Sequence, residues 1–196
     1  MTALLLIDIQ NDFLPGGSLA VAGGNEILPL VNQLQPRYEL VVATQDWHPA
    51  RHHSFASQHP GQAVFSQIEL HGLPQTLWPD HCVQGTPGAE FSAELNQNRI
   101  EAIFRKGTSP EIDSYSGFFD NGHRKSTGLA DYLRGRGVQE VHVCGLAADY
   151  CVFFSALDAL QEGFRVVFLE AATRAISAEG YQQARQQLEQ RGARVQ

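Results

Sequence analysis

Apolar positions gather in five short runs along the chain, at residues 3–7, 40–44, 101–105, 138–144 and 165–169. In most of these runs the apolar residues are continuous rather than alternating with polar ones, which is the pattern of strands buried on both faces. Between the runs the spacing becomes helical. Ile27, Leu30, Val31 and Leu34 recur at helical intervals over residues 26–34. A second helix is predicted over 128–134, with Ser126 and Thr127 as candidate caps and Gly135 and Gly137 as its stop. A third covers 150–161, between Asp149 and Gly163, and a fourth, polar over much of its surface, covers 178–190. Strand–helix alternation with short connections predicts a three-layer α/β/α fold with a mainly parallel central sheet and helices on both faces. Residues 1–196 contain no repeat, low-complexity tract or linker, so a single domain is expected.

One stretch departs from this rhythm. From residue 45 to about 100 there is no strong strand pattern, yet the stretch holds six of the eight histidines: His48, His52, His53, His59, His71 and His81. Long connections of this kind are uncommon in compact domains and are often functional. Phe55, Phe65, Trp78 and Phe91 give the stretch enough apolar surface to pack down, and a metal-binding excursion is predicted.

Composition narrows the partners. Hydrophobic residues make up 43% and charged residues 18%, as in a folded domain. A net charge of −7, with basic residues scattered, speaks against nucleic acid. No apolar run reaches the ~18 residues of a membrane span. At the amino terminus Asp8 interrupts the first apolar run, which therefore reads as a buried strand and not a signal peptide. The three cysteines, Cys82, Cys144 and Cys151, are an odd number without disulfide or zinc-finger spacing. A reducing, cytoplasmic setting is expected, with thiols free for chemistry.

The candidate chemistry lies at the ends of the strands, where open parallel sheets bind their ligands. Asp8 follows the first run, Asp46 the second and Lys106 the third, and Cys151 stands beyond the fourth at a helix start. A thiol at a helix amino terminus is expected to have a lowered pKa and thiolate character. Asp8 can take the thiol proton and return it to a leaving amine, while Lys106 can hold a positive charge beside both. Each residue also has a plain structural reading: a buried small side chain, a turn cap, a surface lysine. Cys144, inside a strand, fits the buried reading, and Cys82 stays ambiguous. Asp46 and His48 are two apart in an extended segment and face the same way, so with His81 they could hold one metal ion and leave positions open. A metal-free hydrogen-bonded pair is the alternative for the Asp-x-His unit alone. His52 and His53 could add a fourth ligand or an outer contact, and the sequence leaves this open. His123 and His142 receive no role.

Several blocks resemble the nicotinamidases of the isochorismatase-like cysteine hydrolase superfamily. They are Asp8-Ile9-Gln10-Asn11-Asp12-Phe13, Gly16-Gly17-Ser18-Leu19-Ala20-Val21, Thr44-Gln45-Asp46-Trp47-His48-Pro49 and His53-Ser54-Phe55-Ala56. Trp78-Pro79-Asp80-His81-Cys82-Val83-Gln84-Gly85-Thr86, Lys106-Gly107 and Cys144-Gly145-Leu146-Ala147-Ala148-Asp149-Tyr150-Cys151-Val152 complete the set. They run in order from residue 1 to about 175. The resemblance implies that Cys151 is the nucleophile, Asp8 the general base and acid, and Lys106 the charged third member. It implies one divalent metal on Asp46, His48 and His81, commonly zinc and in some relatives iron or manganese, touching the pyridine nitrogen of the substrate. Phe13 and Trp78, with Tyr115, would enclose the ring. The Leu146–Ala147 bond would be cis, and the amides of Ala147 and Cys151 would form the oxyanion hole. The activity implied is hydrolysis of nicotinamide to nicotinate and ammonia through a thioester, with pyrazinamide as a second substrate and NAD salvage as the setting. Association of identical chains stays open.

Three rivals were weighed against these residues. Another hydrolase of the superfamily, acting on a different amide, usually lacks the Asp-x-His plus histidine set. A non-haem iron oxygenase would use the metal ligands but leave Asp8, Lys106 and Cys151 idle. A scaffold protein with a structural metal would close the site with four ligands and leave Cys151 unreactive.

Overall fold

The computed structural model describes residues 1–196 and shows directly why the first apolar run is a central strand. In β1 (Thr2–Ile7) the side chains of Ala3, Leu5 and Ile7 enter one core while Leu4 and Leu6 enter another on the opposite face. A strand apolar at every position suits the middle of a covered sheet. β1 pairs in parallel with β2 (Leu40–Asp46) on one side and β6 (Glu140–Leu146) on the other. Beyond β2 lies β5 (Ile100–Lys106), and beyond β6 lie β7 (Arg165–Arg174) and β8 (Arg194–Val195). Every pairing in this six-stranded sheet is parallel. The chain leaves β1 toward β2 and later returns to its other side as β6, so a crevice opens at their carboxyl ends.

The two faces are covered differently. One core packs the sheet against α2 (Leu129–Gly135), α3 (Cys151–Gln161) and α4 (Ala178–Gln190) through residues such as Leu133, Val152, Ala156 and Leu188. On the other face α1 (Leu28–Leu34) is the only α-helix, contributing Leu28 and Val31. The rest of that layer is supplied by the excursion, whose Trp78, Cys82, Ala89, Phe91 and Leu95 are buried in the second core. The excursion is thus structural cover as well as a carrier of functional groups.

The structure corrects several expected bounds. Asp46 and Lys106 are the last residues of β2 and β5, not residues beyond them, and they are direct register partners. The helix expected over 26–34 is split: a 3₁₀ turn at Gly24–Ile27 precedes α1, with Pro29 in the first turn of α1, where its missing N–H costs nothing. The excursion, expected to lack strands, contains an antiparallel hairpin of β3 (Gln67–Leu70) and β4 (Leu73–Thr76). Its turn is His71-Gly72, with φ of 50° and 81°. Two positive φ angles are what a two-residue hairpin turn of the favoured twist requires, and histidine tolerates that conformation better than most side chains. β8 was not anticipated, being two residues long.

Gly145 sits where β6 passes β1 with φ of +117°, and a Cβ there would lie 2.1 Å from the carbonyl oxygen of Ile7. Gly145→Ala is expected to destabilise the protein by about 3 kcal/mol through backbone strain and overpacking. Thermal unfolding should show the midpoint falling by roughly 6–12 °C. An unchanged midpoint would contradict this account of the strand crossing.

Candidate active site

Lys106 ends a strand with its ammonium carried inward, and its side chain is fully buried. Its Nζ lies 2.9 Å from Asp8 Oδ2 and 3.1 Å from Asp46 Oδ1. It also donates to the Ser114 carbonyl at 2.8 Å and to Cys151 Sγ at 3.5 Å. The three residues expected to form a catalytic set therefore do meet, and Asp46 joins them. Burial alone would drive the lysine toward its neutral form. The charges of Asp46 and Asp8 outweigh that and hold it protonated, well above the usual lysine range.

The carboxylates are held from behind. Thr44 donates its hydroxyl to Asp8 Oδ1 at 2.6 Å and accepts the Asp8 amide at 3.2 Å. Asp8 Oδ2 is paired with the Lys106 ammonium at 2.9 Å, while Thr44 is committed to Oδ1. Burial raises the Asp8 pKa, against the pull of Lys106. Gln10 grips the main chain of Asp46, donating to its carbonyl and accepting its amide, both at 2.8 Å. Thr44 and Gln10 lie in blocks that carry the resemblance but were given no role, since a polar residue pointing inward from a strand end has no pattern of its own.

Cys151 is the first residue of α3 and 7% exposed. The expected lowering of its pKa is not what its surroundings favour. Burial pushes the thiol well above the usual cysteine range; Lys106 pulls the other way, and the negative charge of Asp8 adds to the rise.

A second set of side chains faces Asp46 from the other side. His48 Nε2 is 2.9 Å and His81 Nε2 3.4 Å from Asp46 Oδ2. Each imidazole uses its other nitrogen on a backbone carbonyl: His48 Nδ1 on Gly107 at 3.0 Å, His81 Nδ1 on Pro79 at 2.7 Å. An Nδ1–H donated to a carbonyl leaves the Nε2 lone pair facing the carboxylate in the neutral ring, an arrangement that needs a cation between them. In the bare chain a proton on His48 can serve: burial lowers its pKa, but the Asp46 charge beside it prevails and the pKa is raised. The three ligand atoms lie within 4.8 Å of one another and all three residues are buried, so the set fits a divalent ion. His48, His52 and Asp113 form a second grouping of the same kind. His53 is not at the centre; its ring stacks on His71 at the tip of the hairpin.

Between these two sets opens a cleft of about 330 Å³, mouth included. Asp46, His81, Ala147 and Cys151 line it, and so do Phe13, Trp78 and Tyr115, the residues expected to enclose a ring. Trp78 donates its indole N–H to the Tyr115 hydroxyl at 3.3 Å. The Leu146–Ala147 bond is cis. Leu19, Asp113, Tyr150 and Ile176 also line the cleft and were missed. Tyr150 meets the Trp78 ring edge-on, 4.9 Å between centroids; its place next to Cys151 was the one available signal. Ile176 is held over the cleft because Asp149 accepts the amides of Ile176 and Ser177, each at 2.9 Å.

Known proteins resemble this chain in sequence and in fold. The sequence matches the isochorismatase domain family over residues 2–196. It is 51% identical over 179 residues to a nicotinamidase of Escherichia coli, covering 89% of this chain and 84% of that one. Among solved structures, a nicotinamidase/pyrazinamidase of Acinetobacter baumannii superposes with a TM-score of 0.96 at 47% identity, covering 99% of this chain and 94% of that one. The pyrazinamidase of Pyrococcus horikoshii, solved in complex with zinc, does so with a TM-score of 0.83 at 39% identity, covering 100% and 98%. The chain belongs to the isochorismatase domain family, and within it to the nicotinamidases.

Proposed function

We propose that this chain hydrolyses nicotinamide to nicotinate and ammonia, with Cys151 as nucleophile. The observation that carries the reading is the position of Lys106 Nζ, 2.9 Å from Asp8 and 3.5 Å from Cys151 Sγ, at the end of an aromatic-walled cleft. Asp46, His48 and His81 would hold a divalent ion, zinc as first choice, which would supply a Lewis acid to orient the azine ring. Phe13, Trp78, Tyr115 and Tyr150 hold the flat ring by shape and stacking, so the amide carbon is presented to the sulfur with its freedom already restricted.

Asp8 Oδ2 takes the Cys151 proton as sulfur attacks the amide carbon, so that the thiolate is formed only as it is consumed. The amides of Ala147 and Cys151 receive the developing oxyanion. Lys106 stays charged throughout and keeps Asp8 oriented. Asp8 then gives the proton to the departing nitrogen, ammonia leaves, and a thioester remains on Cys151. A water deprotonated by Asp8 hydrolyses the thioester, releasing nicotinate and restoring the thiol. Pyrazinamide, also a flat azine amide, fits the same steps. The free state of Cys82, Cys144 and Cys151 accords with the cytoplasmic setting this chemistry would use, in salvage of nicotinamide toward NAD.

Purified protein is expected to release ammonia from nicotinamide, to lose that activity to a chelator, and to regain it with zinc, iron or manganese. No release with any of these ions would overturn the substrate assignment. Cys151→Ala should lower turnover by at least ~10³-fold while the protein still binds metal. His48→Ala should lose metal and activity together. Full activity in either variant would remove that residue from its role.

A further inference from the structure

The two ring nitrogens of His52, a fully buried residue, are treated differently by their surroundings. Nδ1 accepts the Ser54 amide at 3.2 Å and lies 2.7 Å from the Ser54 hydroxyl. An amide can only donate, so Nδ1 is the bare nitrogen and Nε2 carries the ring proton. That Nε2–H has no partner in the chain. A buried donor left unpaired is rare enough to require an explanation.

The surroundings supply one. The His52 ring lies 4.3 Å from that of His48, centroid to centroid, and one of its ring nitrogens is within 4.8 Å of a ring nitrogen of His48 and a carboxylate oxygen of Asp113. Asp113 is 3% exposed. Its Oδ1 accepts the Ser114 amide at 2.7 Å and its Oδ2 accepts Gln75 at 3.1 Å, so each oxygen keeps a further lone pair. The surroundings of the proposed ligand His48 therefore offer one donor and one acceptor. An ion bound directly to His52 would need a lone pair where the ring presents a hydrogen. A water accepting from His52 and donating to Asp113 satisfies both groups.

We propose that His52 is a positioning residue for the metal centre: with Asp113 it holds a water that completes the coordination of the ion bound by Asp46, His48 and His81. This rests on the metal reading above and resolves the two alternatives the sequence left for His52, outer contact over fourth ligand.

The test is zinc affinity of the full chain, by competition with a chromophoric chelator, for the wild type, His52→Leu, His52→Gln and Asp113→Asn. His52→Leu should bind zinc roughly 10–100-fold more weakly, as loss of an outer contact does. Glutamine, which can still donate from its amide, should recover most of the loss, and the melting point of the metal-free protein should stay close to that of the wild type. If His52→Leu folds poorly, Asp113→Asn carries the same expectation of weaker binding. X-ray absorption on the zinc-loaded protein should count two imidazoles in both the wild type and His52→Gln. Wild-type zinc affinity in His52→Leu would overturn the proposal, as would three imidazoles in the wild type. A wild-type chain that takes up no zinc, iron or manganese would instead remove the metal reading itself.

Discussion

The buried ammonium of Lys106 and the two carboxylates it joins are the interaction around which the rest of the site is arranged. A charge withdrawn so completely from water persists only if it is paired and hydrogen-bonded. Lys106 finds its partners on three separate elements: Asp8 after β1, Asp46 at the end of β2, and Cys151 at the start of α3. The parallel register that sets Asp46 opposite Lys106 is thus a functional as well as a structural match. Removing the lysine would leave two carboxylates facing each other without a counter-charge, so the sheet edge and the reactive centre stand or fall together.

Asp46 extends that dependence across the cleft. Its Oδ1 belongs to Lys106 and its Oδ2 to His48 and His81. One side chain is shared between the ammonium beside the thiol and the two imidazoles proposed to hold an ion. Its pKa lies well below the ordinary carboxylate range: burial opposes this, and the charges of His48 and Lys106 overcome it. A carboxylate that stays ionised can serve both neighbours, while Asp8 is shifted in the opposite direction, as the base of the proposed mechanism requires. Two acids in one site are thus driven apart by what touches each of them.

Much of this was legible in the sequence because strands buried on both faces leave an unmistakable apolar run, and because a parallel sheet brings its strand ends to one edge. Asp8, Asp46, Lys106 and Cys151 could be assigned to that edge before any coordinates. What escaped was set by contacts between distant segments. Thr44 and Gln10 look like ordinary strand and turn residues until Asp8 and Asp46 are placed against them. The hairpin of the excursion turns on His71-Gly72, a pair far less telling than Asn-Gly. The direction in which the Cys151 pKa moves was misjudged because helix position is visible in sequence and burial is not. His52 is the sharpest example, since the role proposed for it depends on which of two ring nitrogens the Ser54 amide reaches.

The central claim is that Cys151 sulfur forms a bond to the carbonyl carbon of the ligand. Binding of nicotinaldehyde labelled with carbon-13 at its carbonyl, followed by NMR, tests it most directly. The account predicts that the labelled carbon moves from the aldehyde region to that of a tetrahedral thiohemiacetal in the wild type, and that Cys151→Ala binds the ligand without that change. A carbon that stays trigonal in the wild-type complex, or becomes tetrahedral equally in Cys151→Ala, would contradict the assignment of the nucleophile.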